Sequence, residues 1–179
     1  MAIQSKPTFK ELERKYHGTG FDPGSRFPCE YVDQCAVRMS VALQHCGYKI
    51  EGFHDPKRIH GTPGHRCALK EPHIVGATEL MDHIKKDFGL TKVFLLNQVE
   101  GAYAALRGKK GIVHFLNLGT GTGDHIDLFD GTAIYNEVNG NPDRGHSGFL
   151  PKANIDGRVG LTERHYFQRA KRVDFIELQ

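Results

Sequence analysis

Apolar residues recur at helical spacing at three places in the first half of the chain. Residues that begin or end helices bound these places: a Thr8–Glu11 capping box opens the first, and Gly47 and Gly89 follow the second and third. The pattern predicts a short helix after Thr8, a helix from about 35 to 46 and a helix from 79 to 88. The side chains predicted to face inward are Phe9 and Leu12, then Met39, Leu43 and Cys46, then Leu80, Ile84 and Phe88.

The second half of the chain changes to short apolar runs, which are typical of strands. The run at 111–118 is the strongest strand signal, and the run at 93–96 is predicted to be a buried strand. Helices come first and an antiparallel meander follows, so we predict an α+β fold with N-terminal helices packed on an antiparallel sheet. The other predicted elements are strands around His125, at 132–136 and at 173–178, a helix at 100–107, and loops at 18–28, 51–75 and 138–160.

Composition and charge are those of an ordinary globular protein. The 179 residues suit one domain, 1–179, and 39% of them are hydrophobic. The net charge of +3 is too weak to indicate a nucleic-acid partner, and no segment is long enough to span a membrane. Because Met1–Pro7 has no apolar stretch like that of a secretory signal, we expect synthesis in the cytoplasm and no cleavable signal.

The cysteines and glycines do not indicate a cofactor. The four cysteines form no CxxC pair and are expected to be free thiols. His60, His65, Cys67 and His73 match no zinc signature, so no metal site is expected. The glycine-rich segment 119–123 leads into a strand rather than a helix, which argues against a phosphate loop.

Two separated motifs carry the candidate chemistry. Cys35 stands where a helix is predicted to begin, and the helix dipole there stabilises a thiolate. His125 stands on a strand that runs into the Asp130–Gly131 turn. A thiol at a helix start and an imidazole on a hairpin are the arrangement of a cysteine hydrolase, in which the thiolate attacks an amide carbonyl and the backbone N–H of Cys35 donates to the oxyanion.

The turn predicts a third catalytic residue. A two-residue Asp-Gly loop of type I′ places Phe129 opposite Thr132 and His125 opposite Asn136, whose amide would then orient the imidazole. Asp127 is the alternative, since it shares the face of His125, but it lies about 7 Å along the strand and is expected to be a solvated or loop-bonding carboxylate. We therefore expect Asn136→Ala to weaken activity more than Asp127→Ala.

Structural roles are open alternatives for each of these residues. A cysteine among apolar residues is most often a small buried hydrophobe, and a strand histidine is most often structural. Cys29, Cys46 and Cys67 do not begin a predicted helix, so each is expected to be dispensable for the chemistry.

Three stretches resemble the class 4 amidase effectors of type VI secretion systems, which are bacterial peptidoglycan hydrolases. They are Cys35–Leu43, Gly108–Ile112 and Gly123–Leu128, with weaker similarity at Glu79–Leu80 and Phe175–Leu178. The resemblance implies a papain-like NlpC/P60 fold, with Cys35 as the nucleophile and His125 as the base. One position departs from the family, since an aspartate is expected eleven residues after the histidine and Asn136 stands there.

The resemblance also implies a substrate and partners. The substrate is the stem peptide of peptidoglycan, cut between D-glutamate and meso-diaminopimelate. The protein is expected to reach the periplasm of a rival bacterium through the type VI secretion apparatus, and a cognate immunity protein is expected in the producer. The alternatives are a cysteine protease or deamidase acting on proteins, and a non-enzymatic cell-wall-binding module.

Overall fold

The computed structural model describes residues 5–17, 35–50, 73–95, 99–118, 123–132, 134, 166–167 and 169–179. These residues form two compact units, one comprising Met1–Gly89 with Leu178–Gln179 and the other Leu90–Glu177. The helices are α1 (Phe9–His17), α2 (Cys35–His45), α3 (Ala77–Phe88) and α4 (Val99–Leu106). The strands are β1 (Lys92–Leu95), β2 (Gly111–Leu116), β3 (His125–Phe129) and β4 (Arg172–Glu177).

The first unit contains the three helices predicted from periodicity. The capping box is present, because the N–H of Glu11 donates to Oγ1 of Thr8 and the N–H of Thr8 donates to Oε2 of Glu11. The inward positions are buried as predicted, apart from Cys46, which is half-buried. The chain returns to this unit at its C-terminus, where the carbonyl of Gln179 accepts from the N–H of Phe9 at 2.8 Å.

Helix α2 is held at both its middle and its end. The hydroxyl of Ser40 donates to the carbonyl of Val37 and accepts from the N–H of Ile74, which ties the helix to the segment before α3. At the C-terminus Gly47 has φ +87°, and the N–H of Tyr48 donates to the carbonyl of Leu43 at 3.0 Å. The helix that begins at Cys35 is therefore fixed by bonds at its middle and at its C-terminal end.

The second unit contains a four-stranded antiparallel sheet in the order β1-β4-β2-β3. The predicted meander is therefore wrong, since the C-terminal strand β4 lies between β1 and β2. The burial of β4 explains this position: Val173 and Phe175 on one face and Asp174 and Ile176 on the other are all buried. A strand that is buried on both faces fits the interior of a sheet.

Strand β1 occupies an edge, and its predicted burial is wrong. It pairs with β4 on one side. Val93 and Leu95 are 41% and 54% exposed, while Phe94 packs against the core of the second unit. A run of apolar residues does not distinguish an edge strand from a buried one, because side chains on alternate faces meet different surroundings.

One face of the sheet carries the core of the second unit. Val113 and Phe115 of β2, Phe129 of β3, and Val173 and Phe175 of β4 pack there. Helix α4, predicted at 100–107, covers this face with Ala102 and Leu106, and a helical turn containing Tyr166 and Phe167 packs beside it. The core thus brings together segments that are far apart in sequence.

The α+β class is confirmed. The loops predicted at 18–28 and 138–160 lie outside the described residues, as does most of the one at 51–75. Of the strand predicted at 132–136, the described part is a single bridge from Ile134 to Phe129. We propose that the two units fold as the single domain expected from length, since the chain passes between them at 89–90 and again at 177–178.

Thermal unfolding is expected to be one cooperative transition. Two chain crossings without a linker couple the units, so neither is expected to unfold separately. Scanning calorimetry checks this, with a ratio of calorimetric to van't Hoff enthalpy of about 1 as the expected result. Two resolved transitions would contradict the single-domain proposal.

Candidate active site

His125 is the first residue of β3 and is held there from two directions. It pairs with Phe115 of β2, and the loop before it is closed by a bond from the N–H of Asn117 to Oδ1 of Asp124 at 2.8 Å. A second bond joins the N–H of Leu118 to the carbonyl of Gly123. The backbone of His125 is therefore fixed by the sheet on one side and by the closed loop base on the other, and its side chain is buried.

Asp127 contacts His125 directly. Its Oδ2 lies 3.3 Å from Nε2 of His125, and its Oδ1 accepts from the N–H of Leu128 at 2.7 Å. Asp127 is 0% exposed, so the expectation of a solvated carboxylate is wrong. Residues i and i+2 point to the same face of a strand, and an imidazole is long enough to cross the distance of about 7 Å between their Cβ positions. That distance was expected to keep Asp127 away from His125.

The predicted hairpin register is also wrong. Phe129 bridges to Ile134 rather than Thr132, so the connection is four residues long. A type I′ turn needs a positive φ at both central residues. Asp130, which the structure describes, does not have a positive φ. Oδ1 of Asp130 instead accepts from the N–H and the hydroxyl of Thr132, both at 2.7 Å, which forms an Asx turn.

Position 131 requires glycine for a reason other than the predicted type I′ turn. Its φ is +95°, and a Cβ there would lie 2.8 Å from Cα of Gly108. The N–H of Gly108 donates to the carbonyl of Gly131, so the close approach joins the end of α4 to this turn. Asn136, the predicted partner of His125, lies outside the described residues.

The contact with Asp127 sets the chemistry available to His125. A carboxylate beside Nε2 favours the tautomer that carries the proton on that nitrogen, which leaves the lone pair of the neutral ring on Nδ1. The same carboxylate stabilises the imidazolium form. The pair can therefore accept a proton at Nδ1 and hold the resulting positive charge.

Cys35 lies in the first unit as the first residue of α2. Its thiol is free and its side chain is buried. No acidic residue stands in the first turn of α2, so no carboxylate of that turn opposes a thiolate at the positive end of the helix dipole. The structure thus brings His125 and Asp127 together in the second unit and places Cys35 at the predicted helix start in the first.

Cys46 has a different environment from Cys35. Burial raises the pKa of its thiol, and the carboxylate of Glu11 adds to this, so that the opposing charges of Lys15 and Arg14 are outweighed. A raised pKa lowers the thiolate fraction at neutral pH and makes Cys46 a poor nucleophile. Cys29 and Cys67 lie outside the described residues, as do His60 and His65.

Among the described residues, two aromatic rings contact the imidazole of His125. Tyr166 lies with its ring centroid 5.1 Å away at an interplanar angle of 33°, and Phe115 stacks at 6.4 Å and 22°. The pattern along the sequence does not predict the contact with Tyr166, because that residue follows a long segment without periodic signal. Phe115 is predictable once β2 and β3 are paired.

A second histidine and carboxylate meet on the opposite face of the sheet. Nδ1 of His114 lies 3.6 Å from Oδ2 of Asp174, and Nε of Arg172 donates to Oδ1 of Asp174 at 2.7 Å. Burial raises the pKa of Asp174, but the nearby imidazole of His114 and the hydrogen bond and charge of Arg172 outweigh this, so the pKa lies below its ordinary value. Sequence reasoning missed this cluster, since its members are far apart in the chain.

Within the described ranges, no three His, Cys, Asp or Glu side chains are grouped so as to hold a metal ion. The described helices also include none that is long and apolar enough to cross a membrane.

The sequence profile of the family described as type VI secretion system amidase effector protein 4, or Tae4, matches residues 31–173. The chain belongs to the Tae4 family. The match spans both Cys35 and the His125–Asp127 pair. Membership makes the chain a type VI secretion amidase effector, within a class of toxins that hydrolyse peptidoglycan, and the family resemblance seen in the sequence is confirmed. No curated protein matches the chain significantly.

Solved structures of Tae4 effectors have the same fold. The effector from Enterobacter cloacae is 14% identical to this chain and has a TM-score of 0.62. The similarity covers 99% of this chain and 100% of that effector. Its complex with the immunity protein Tai4 gives a TM-score of 0.60 at 14% identity, covering 98% and 100%. The Salmonella typhimurium effector bound to the Enterobacter cloacae Tai4 gives 0.58 at 15% identity, covering 97% and 100%.

Removing the carboxylate of Asp174, which lies beside His114 and Arg172, should change the pH dependence of stability. The pKa of Asp174 is lowered on folding. The stability that its carboxylate contributes is therefore present above about pH 4 and is lost as the pH falls through the folded pKa. We expect Asp174→Asn to lower the free energy of unfolding by about 1–3 kcal/mol at pH 7. The difference should shrink toward pH 2, as measured by urea unfolding at several pH values.

Asp82→Asn is the matched control, because Asp82 is an exposed carboxylate on α3. It should change stability little at any pH. A loss for Asp174→Asn that is the same at pH 7 and pH 2 would contradict the linkage.

Proposed function

We propose that the chain is a cysteine amidase in which Cys35 is the nucleophile, His125 the general base and acid, and Asp127 the residue that orients His125. The contact between Nε2 of His125 and the buried carboxylate of Asp127 is the observation that carries this proposal. We assign to Asp127 the orienting role that was predicted for Asn136, since the hairpin register on which that prediction depended is wrong.

The proposed reaction proceeds in two stages. Nδ1 of His125 takes the proton of the Cys35 thiol, and the thiolate attacks the amide carbonyl carbon to form a tetrahedral intermediate. The backbone N–H of Cys35 donates to the oxyanion. The imidazolium gives its proton to the leaving amine as the C–N bond breaks, and a thioester with Cys35 remains. Water, deprotonated by His125, then hydrolyses the thioester and frees the thiol.

The proposed substrate is the peptide stem of peptidoglycan, cut at the bond from the γ-carboxyl of D-glutamate to meso-diaminopimelate. The resemblance to the class 4 effectors supports this bond, together with membership of an amidase effector family. We also propose the finer assignment to the NlpC/P60 branch of papain-like folds, which matches the order of helices before an antiparallel sheet.

Delivery and partners follow from the same membership. Type VI delivery into a rival bacterium fits action in its periplasm, where the stem peptides are exposed. Tae4 effectors of Enterobacter cloacae and Salmonella typhimurium have been solved with the immunity protein Tai4. We propose that a cognate immunity protein likewise protects the producer of this chain.

Digestion of purified sacculi tests the proposed bond and the nucleophile together. The protein should release peptides with a free D-glutamate γ-carboxyl and a free diaminopimelate amine, identified by mass spectrometry. Cys35→Ala should abolish release, because no other described thiol begins a helix. Cys46→Ser is the control and should retain activity.

Each other outcome of the digestion points elsewhere. Unchanged muropeptides with folded protein would reject the amidase. Turnover of glutamine or peptide substrates without sacculus activity would indicate a protease or deamidase. Sacculus binding without turnover would indicate a binding module.

Substitution of the third residue separates the two candidates. Asp127→Asn should lower kcat on the order of 10²- to 10⁴-fold with a smaller effect on KM, since it removes the charge that stabilises the imidazolium. Asn136→Ala should lower kcat less. The measurement is steady-state release of the amine from a stem-peptide substrate, and a larger loss for Asn136→Ala would overturn the assignment of Asp127.

A further inference from the structure

Tyr166 covers the imidazole of His125 although it is not part of either sequence motif. Its ring centroid lies 5.1 Å from that of the imidazole, and the 33° angle between the planes turns a ring face toward it. Tyr166 is buried, as His125 is. The contact is therefore an internal one, formed by a residue that follows His125 by about forty positions.

The position of Tyr166 is fixed by its neighbours rather than by the imidazole alone. The next residue, Phe167, lies in the core with its ring 4.9 Å from Phe115 and 5.8 Å from Phe129. The carbonyl of Tyr166 accepts from the N–H of Ala170 at 3.1 Å. Just beyond, the N–H of Lys171 donates to the carbonyl of Leu116 at 2.9 Å, which attaches this segment to β2.

We propose that Tyr166 is a positioning residue that limits rotation of the His125 ring and stabilises its imidazolium form through the face of the phenol ring. This inference rests on the proposed function for its catalytic meaning, but the contact itself is independent of it. In this proposal, Asp127 of β3 contacts Nε2 of the imidazole, and Tyr166 packs against the face of the ring.

The two effects have separate physical origins. Tyr166 packs on one face of the imidazole, and Phe115 of β2 also stacks on it. Together the two rings restrict the side-chain rotation of His125 that would break its contact with Asp127. A cation within about 6 Å of an aromatic centroid is also attracted by the ring quadrupole. In the second unit, the titratable groups whose described contacts reach the imidazole are Asp127 and the Tyr166 phenol; Phe115 carries no charge.

Titration of His125 by NMR tests the contact without any need for activity. In the Cys35→Ala background, replacing Tyr166 by Leu should lower the pKa of His125 by about half a unit. The imidazole signals, assigned by their loss in His125→Gln, should also shift toward a mixture of tautomers. Tyr166→Phe keeps the ring face and should restore both readings.

Phe167→Leu is the matched control, because it alters the same segment and the same core without touching the imidazole. It should lower thermal stability and leave the pKa and tautomer of His125 unchanged. An unchanged pKa in folded Tyr166→Leu, or an equal shift in Phe167→Leu, would overturn the proposal. So would a shift in Tyr166→Phe as large as that in Tyr166→Leu.

Kinetics with the active enzyme then tests the catalytic consequence. Tyr166→Leu should lower kcat roughly 10- to 100-fold with little change in KM, since it misplaces a reacting group rather than a binding contact. Tyr166→Phe should recover most of that loss. A wild-type protein without amidase activity would reject the proposed function, and the NMR titration would still decide the role of Tyr166.

Discussion

The carboxylate of Asp127 is completely removed from solvent, and its burial constrains the residues around it. A buried carboxylate is strongly destabilising unless hydrogen-bond donors surround it. The N–H of Leu128 supplies one donor from the adjoining backbone, and Nε2 of His125 lies within reach of the other oxygen. A proton on Nε2 satisfies this carboxylate oxygen, so the contact favours the tautomer that carries its proton there.

Hydrolysis by a thiol needs this same tautomer. A base that takes a proton at Nδ1 must hold a second proton at Nε2, and the resulting cation needs a counter-charge. The β3 strand provides the histidine and the carboxylate on one face, two residues apart. The closed loop base at Asn117 and Asp124 fixes where that strand begins. The strand that completes the sheet therefore also holds the candidate base against its carboxylate.

Helical periodicity and capping residues were sufficient to predict α1, α2 and α3, since each depends on residues close in sequence. Strand order was not predictable, because nothing in the local pattern of β4 specifies that it lies between β1 and β2. The Asp130–Gly131 dipeptide misled for a similar reason. It suits a type I′ turn, yet the Asp130 side chain forms an Asx turn and Gly131 is needed beside Gly108. The contact of His125 with Asp127 comes from their i, i+2 spacing on β3, and the contact of His125 with Tyr166 comes from tertiary packing.

The two histidine–carboxylate pairs of the sheet show why such a pair does not by itself identify a catalytic base. Asp174 receives a hydrogen bond from Arg172, a permanent cation, so its charge is balanced whatever the protonation of His114. The separation from Nδ1 of His114 is also long, at 3.6 Å. Oδ1 of Asp127 accepts from a neutral backbone N–H, and its Oδ2 lies 3.3 Å from Nε2 of His125. The closer contact, 3.3 Å against 3.6 Å, thus favours the His125 pair, rather than the His114 pair, as the one whose proton can move during a reaction.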